Sequence, residues 1–289
     1  VSDDQWVSAH IFYHGDQDPV IVYLIQLIVE ELADGGPDPD FFFLRYWDAG
    51  PHVRLRVRAE PRDHDRVRRV IEERCRAFFR ACPSAHGMRQ EEYEKSAALL
   101  AHGEGMPDFT RELAPNNSVS FIPYRREYRR YGRVAMRAVE EHFVDSSRIV
   151  LSMLSKGATA KQRITIGVAM YLIVWLRLSG TAEMAQPDAE YAEHFAVQRD
   201  VLLPLGRRMR ALVDHADRME RDDGLAGWSQ TTGRLRKALE EDPHRLPTVM
   251  VTCAHLAANR LGIDPLSERY ASALASQTVL ELHEEGQPQ

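Results

Sequence analysis

The sequence predicts an α+β protein, with a mixed or antiparallel sheet from its N-terminal half packed with a largely helical C-terminal half. Two observations carry this: segments with a period of two, rich in β-branched and aromatic residues, gather before Gly132, and helical periodicity dominates after it. No linker is evident between the halves, so residues 1–289 read as a single domain, strand-rich over 1–132 and helical over 133–284.

In chain order, WVSAHIFYH (6–14) reads as a strand. VIVYLIQLIVEEL (20–32) has helical spacing and runs into Ala33-Asp34-Gly35-Gly36, a stop signal. FFFLRYWD (41–48) and HVRLRVRA (52–59) read as two strands joined by a turn at Ala49-Gly50-Pro51. Residues 61–82 read as an amphipathic helix and SVSFIPY (118–124) as a further strand. Helices are then expected over 133–143, 146–155, 160–179, 187–220, 230–241, 246–261 and 266–284, with EEGQPQ as a frayed tail. The most apolar run, ITIGVAMYLIVWLRL (164–178), is short for a membrane span and is closed in by Lys161, Arg163 and Arg177, so it reads as a buried core helix.

Composition narrows the function. The net charge of −6 argues against a duplex nucleic-acid binder, though it leaves local basic patches open. Three cysteines at unpatterned spacings give no disulfide framework and fit a reducing cytosol. The first residues are acidic and polar, with no signal-peptide core, so a cytoplasmic protein without a membrane partner is expected. Only four of the 37 basic residues are lysines, so positive charge is mostly planar guanidinium, suited to carboxylates. There is no Walker A loop, GxGxxG, HExxH, GxSxG or CxxC, and His10 and His14 on a strand are not at chelating spacing. No cofactor is therefore expected, and chemistry falls to ordinary side chains.

Three patterns could carry it. Period two puts Val53, Leu55 and Val57 on one face of a strand, and His52, Arg54, Arg56 and Arg58 on the other, with same-face neighbours about 7 Å apart. That row is either a solvated edge with structural ion pairs or the wall of a pocket that receives a carboxylate, to which arginine bonds bidentately. FIPYRREYRRYGR (121–133) carries five arginines interleaved with Tyr124, Tyr128 and Tyr131, either a solvated turn or a patch that could touch single-stranded RNA. TVMVTCAHLAANRLGIDP (248–265) is an apolar helix on which His255 and Asn259 share a face. A lone histidine there is ordinarily a satisfied core residue; the alternative is an acid–base group.

Taken in order, FFFLRYWDAGPHVRLRV, YRREYRRYG followed by EEHFVDSS, and HLAANRLGIDP, together with the opening WVSAHIFYHGDQD, resemble the C-terminal elimination domain of class I lanthipeptide dehydratases. Standalone forms of that domain make up the thiopeptide-type bacteriocin biosynthesis family, and the resemblance covers essentially the whole chain. It implies an enzyme of peptide maturation that eliminates glutamate from glutamylated Ser or Thr, leaving dehydroalanine or dehydrobutyrine. It equally names an alternative, a pyridine synthase joining two dehydroalanines in a formal [4+2] cycloaddition with loss of the leader peptide. A third reading, of another class, is a non-catalytic peptide- or tRNA-docking partner of a glutamylating protein.

In the eliminating members, activity depends on residues that map to Arg54, Arg56, Arg130 and His255. His52, Tyr124, Tyr131 and Asn259 are expected to bind substrate. Where the family usually has a second glycine after RYG, this chain has Arg133. The implied partners are a precursor peptide of leader plus core and a separate glutamyl-tRNA-dependent glutamylating protein, since the chain has no room for that domain. Direct tRNA binding is not expected, the strand-rich half is the expected place for leader recognition, and a homodimer is the default oligomer.

Overall fold

The computed structural model describes residues 5–103, 108–179, 189–215 and 224–285. It divides into two compact units, Val1–Arg126 and Glu127–Gln289.

The first unit is built on a four-stranded antiparallel sheet of order β2-β3-β1-β4. Its strands are β1 (Trp6–Phe12), β2 (Phe41–Tyr46), β3 (His52–Arg58) and β4 (Ser118–Phe121). Alternation decides the two faces. Val7, Ala9, Ile11, Phe41, Phe43, Val53, Leu55 and Val57 are all buried. On this side the sheet meets the helical turn Val20–Ile25, which continues as α1 (Gln26–Ala33), and α2 (His64–Ala81). Asp34, in the left-handed region, ends α1 at the expected stop.

The opposite face is polar. The register pairs Ser8 with Arg56, His10 with Arg54 and Phe12 with His52, and on the other side Phe42 with Arg56 and Tyr46 with His52. β3 is thus an inner strand, which corrects the reading of a solvated edge: His52 is fully buried and Arg56 only 7% exposed.

The helix α3 (Gln90–Gly103) went unread in the sequence. Its buried Tyr93 fixes the β2–β3 turn. The Ala49 N–H donates to the Tyr93 hydroxyl at 2.8 Å, and that hydroxyl donates to the Thr110 carbonyl. Ala49 and Gly50 both take positive φ in this turn.

Among its described residues, the second unit has helices and no strand. A short turn, α4 (Tyr128–Tyr131), precedes α5 (Met136–Ser155), α6 (Ala160–Leu178), α7 (Ala189–His215), α8 (Leu225–Ala238), α9 (Leu246–Leu261) and α10 (Pro265–Glu284). The apolar run of the sequence becomes α6, buried from Gly167 to Leu176 and packed by α7, α8, α9 and α10. Its start is a complete capping box between Thr159 and Gln162. No helix among the described residues is long and apolar enough to cross a membrane.

Three expectations need correction. Residues 133–143 and 146–155 belong to one helix: Asp145 and Ser146 do not start a new one, because Ser146 turns its hydroxyl back to the Phe143 carbonyl inside a continuous α5. α8 begins at Leu225, five residues before its expected start, and α2 begins at His64 after a 3₁₀ turn over Pro61–Asp63. Residues 187, 188 and 216–220 of the expected long helix, and 286–289 of the tail, lie outside the described residues.

Candidate functional site

In the first unit the sheet brings His52, Arg54 and Arg56 into one row and places Tyr124 beside it. Burial in the turn sets the chemistry of His52. Its Nδ1 lies 2.8 Å from the Gly50 carbonyl oxygen and its Nε2 3.3 Å from Arg54 Nε. Arginine can only donate, so Nε2 accepts and Nδ1–H donates: the ring is neutral. Desolvation, with the Arg54 charge among the lesser causes, lowers its pKa to about 4. Arg54 is thereby aimed by a neutral histidine, and its guanidinium lies over the Tyr46 ring, 3.4 Å from the centroid.

His10, which sequence reading left aside, completes this corner. It stacks on His52 with centroids 4.8 Å apart. Burial first, then electrostatic coupling to His52 and to the Arg54 and Arg56 charges, lower its pKa to about 2. Arg56 sits in an aromatic cage, 4.8 Å from the Tyr124 centroid and 5.2 Å from that of Phe42, and Trp6 packs edge-on against both rings. Arg58, at the end of the row, pairs with Asp40 at 2.8 Å and covers Trp6. A cavity of about 330 Å³ opens beside this cage, lined by Trp6, Ser8, His64, Arg68, Tyr124 and Arg125.

The two buried histidines make a stability prediction. Both are neutral in the folded chain, whereas the unfolded chain protonates them below the ordinary value of 6.5. Their contribution is therefore full above that pH and is lost as the pH falls from there toward about 4 and below. Each histidine held neutral adds a slope of about 1.4 kcal/mol per pH unit in that window. Urea unfolding of the wild type should show its midpoint dropping on acidification, and His52→Phe should flatten the drop.

In the second unit, Arg130 and Tyr131 lie on α4, and His255 and Asn259 on α9. Tyr131 is buried edge-on against Phe143, whose ring also carries the fully buried Arg260 guanidinium, so α4, α5 and α9 lock together. Burial first, then the neighbouring Cys253 and Glu127, pushes the Tyr131 pKa up. Tyr131 is thus an anchor, while Arg130 beside it is exposed and pairs with Glu127 at 3.3 Å. Arg245 ties the same turn by donating to the Arg129 carbonyl at 2.6 Å.

Gly132 follows at φ 78°, ψ 153°, a conformation essentially reserved for glycine. Arg133 is not among the positive-φ residues, so the family's second glycine is not required here; its guanidinium lies 4.7 Å from the Tyr128 centroid. Gly132→Ala should cost about 1–3 kcal/mol. Thermal melts would read that loss, and Arg133→Gly should leave stability within about 1 kcal/mol.

His255 departs from the reading of a satisfied core residue. The buried stripe of α9 runs through Val249, Met250, Cys253, Ala254, Ala257 and Leu261, and His255 falls outside it. Its side chain is 52% exposed, with Nδ1 2.8 Å from Glu268 Oε1 on α10. Asn259 is half-buried one turn further along α9. Glu268 was not singled out in the sequence: in Asp264-Pro265-Leu266-Ser267-Glu268 it looks like an ordinary first-turn acid of a capped helix.

A small antiparallel sheet with caged arginines on its polar face, and a helical unit with a carboxylate-bound histidine, define an α+β protein. The chain belongs to the lantibiotic biosynthesis dehydratase C-terminal family, whose model matches residues 6–279. Among solved structures it is similar to TbtD, the pyridine synthase from thiomuracin biosynthesis, at 19% identity and a TM-score of 0.75, with 98% of this chain and 100% of that one covered. It is also similar to TsrL, at 14% identity and a TM-score of 0.57 over 96% and 95% of the two chains. MibB, the tRNA-dependent lantibiotic dehydratase from Microbispora sp. 107891, is similar at 16% identity and a TM-score of 0.56; 99% of this chain aligns with 29% of that one. At these identities the likeness is one of fold. No curated protein sequence matches the chain.

Proposed function

We propose that this protein eliminates glutamate from glutamylated Ser or Thr in a precursor peptide, giving a dehydroamino acid. The observation that carries the reading is His255, a half-exposed imidazole bonded to a buried carboxylate rather than a packed core residue. β-Elimination requires such a group. A base takes the α-proton, the electrons of that bond form the Cα–Cβ double bond, and the Cβ–O bond breaks as glutamate leaves as its carboxylate. His255 is the proton-transfer residue in this scheme. The family resemblance assigns Arg54, Arg56 and Arg130 the positive charge that an enolate-like oxygen and a departing glutamate require. His52 aims Arg54, and Tyr124 cages Arg56. The cavity beside Trp6 and Tyr124 offers the leader or core peptide a partly basic groove.

A second reading, pyridine synthesis from two dehydroalanines, is favoured by the end-to-end likeness to TbtD, whereas only 29% of MibB is spanned. That reaction rests mainly on holding two alkenes together. It gives a carboxylate-held histidine less to do, which is why elimination is placed first.

Purified protein incubated separately with a peptide carrying a glutamylated Ser and with a peptide carrying two dehydroalanines separates the readings by mass spectrometry. Release of glutamate from the first supports elimination. A new aromatic chromophore with leader-sized cleavage of the second, and no change in the first, supports cycloaddition.

A further inference from the structure

The backbone that brings Glu268 to His255 is specified locally. Gly262, at φ 74°, closes α9 in the left-handed conformation. Asp264 then caps α10 by accepting from the Leu266 and Ser267 N–H groups, and Pro265 takes the first helical position. This tight return carries the chain from the end of α9 into the first turn of α10, where Glu268 Oε1 comes within 2.8 Å of His255 Nδ1.

Glu268 is 9% exposed and has a second partner. Tyr171, from the buried helix α6 and itself 3% exposed, donates its hydroxyl to the same Oε1 at 2.5 Å. Burial, then the Glu268 charge and this hydrogen bond, pushes the Tyr171 pKa up, so the phenol remains a donor. One carboxylate oxygen is therefore held from behind by a fixed O–H and presents itself to an imidazole that reaches toward solvent. A pair with one partner half exposed adds little to stability. Its consequence is orientational: the hydrogen bond at one ring nitrogen of a histidine decides which nitrogen carries the proton.

We propose that Glu268 is the positioning residue for His255, holding the neutral ring as its Nδ1–H tautomer and so making Nε2 the nitrogen that takes and returns the substrate proton. The substrate clause rests on the elimination reading above; the tautomer does not.

The test is a long-range ¹H–¹⁵N correlation spectrum of the full chain with ring-labelled histidine, without substrate, at a pH where His255 is neutral. The expected result is a protonated Nδ1 and a pyridine-type Nε2 for His255 in the wild type. Glu268→Leu, made together with Tyr171→Phe so that no buried hydroxyl is orphaned, should move the ring toward the ordinary Nε2–H form. The same double variant should lower kcat by roughly 10- to 100-fold, with KM near its wild-type value. A wild-type His255 protonated at Nε2, or an Nδ1–H form that survives loss of the carboxylate, overturns the proposal. The wild-type spectrum decides even if the variant fails to fold. Absence of glutamate release by the wild type would instead count against the elimination reading, with the tautomer result unaffected.

Discussion

His255→Ala is expected to slow glutamate elimination by about 10²- to 10⁴-fold while leaving the fold and thermal stability near wild type. The two halves of this expectation have separate physical grounds. A positioned general base or acid contributes rate enhancement of that order, and alanine supplies no proton acceptor. The side chain is 52% exposed and lies off the buried stripe of α9, so its removal opens no cavity, and alanine favours helix. Glu268 keeps the Tyr171 hydrogen bond when the imidazole is gone, so the carboxylate is not stranded. The check is single-turnover mass spectrometry of a glutamylated peptide alongside circular-dichroism melts. A variant that melts like the wild type and still eliminates at the wild-type rate would remove His255 from the mechanism.

Arg56→Lys is expected to lower turnover by about 10²-fold although it keeps the charge. Arg56 is 7% exposed, with its guanidinium against the Tyr124 and Phe42 rings. A planar cation can stack on these rings and still present a fork to a carboxylate or an enolate oxygen. An ammonium group is a compact, strongly hydrated point charge, which this aromatic cage solvates poorly. The loss should be read as a kcat–KM split. A rise in KM alone would make Arg56 a ground-state carboxylate binder, and a fall in kcat would place its effect in the transition state. Thermal melts should show a modest cost of about 1 kcal/mol from the lost stacking. Equal turnover by Arg56→Lys and wild type would count against bidentate or stacked recognition at this position.

Much of the fold was legible because the local signals agreed with one another. Val53, Leu55 and Val57 against His52, Arg54, Arg56 and Arg58 is a period-two pattern that fixes both the strand and its faces, and the register bears it out. Gly262 and Pro265 marked the α9–α10 return for the same reason. What was not legible came from distant contacts. Nothing near residue 49 says that Tyr93 will fasten the β2–β3 turn from α3. Whether the arginine row lies on an inner or an edge strand depends on β1 pairing with β3 across more than forty residues. Asp145 and Ser146 have the chemistry of a helix start, but inside α5 Ser146 bonds back to Phe143, and Asp145 meets Thr231 and Arg234 of α8 instead.

The candidate site was legible in part for the same reason. Arg54, Arg56, Arg130 and His255 came from ordered motifs and a resemblance, and the structure shows how differently they are held. Arg54 is aimed by a neutral histidine, Arg56 is caged, Arg130 is exposed beside Glu127, and His255 is bound to Glu268. The α9 stripe could have shown that His255 falls outside the core, since Val249, Cys253, Ala257 and Leu261 repeat every four residues without it. His10 and Glu268 had no such signal. One is a strand residue whose neighbour is His52 across the sheet, and the other is a helix-start acid whose partner arrives only through the left-handed turn at Gly262.

The central claim is that this chain removes an α-proton and expels glutamate. It is tested most directly with a precursor peptide whose glutamylated Ser carries deuterium at Cα, followed by mass spectrometry under single-turnover conditions with the wild-type protein. The account predicts release of glutamate, loss of the deuterium from the dehydroalanine product, and slower release than from the protiated peptide. An intact glutamylated peptide, under conditions where the same preparation converts a bis-dehydroalanine peptide into an aromatic product, would contradict it.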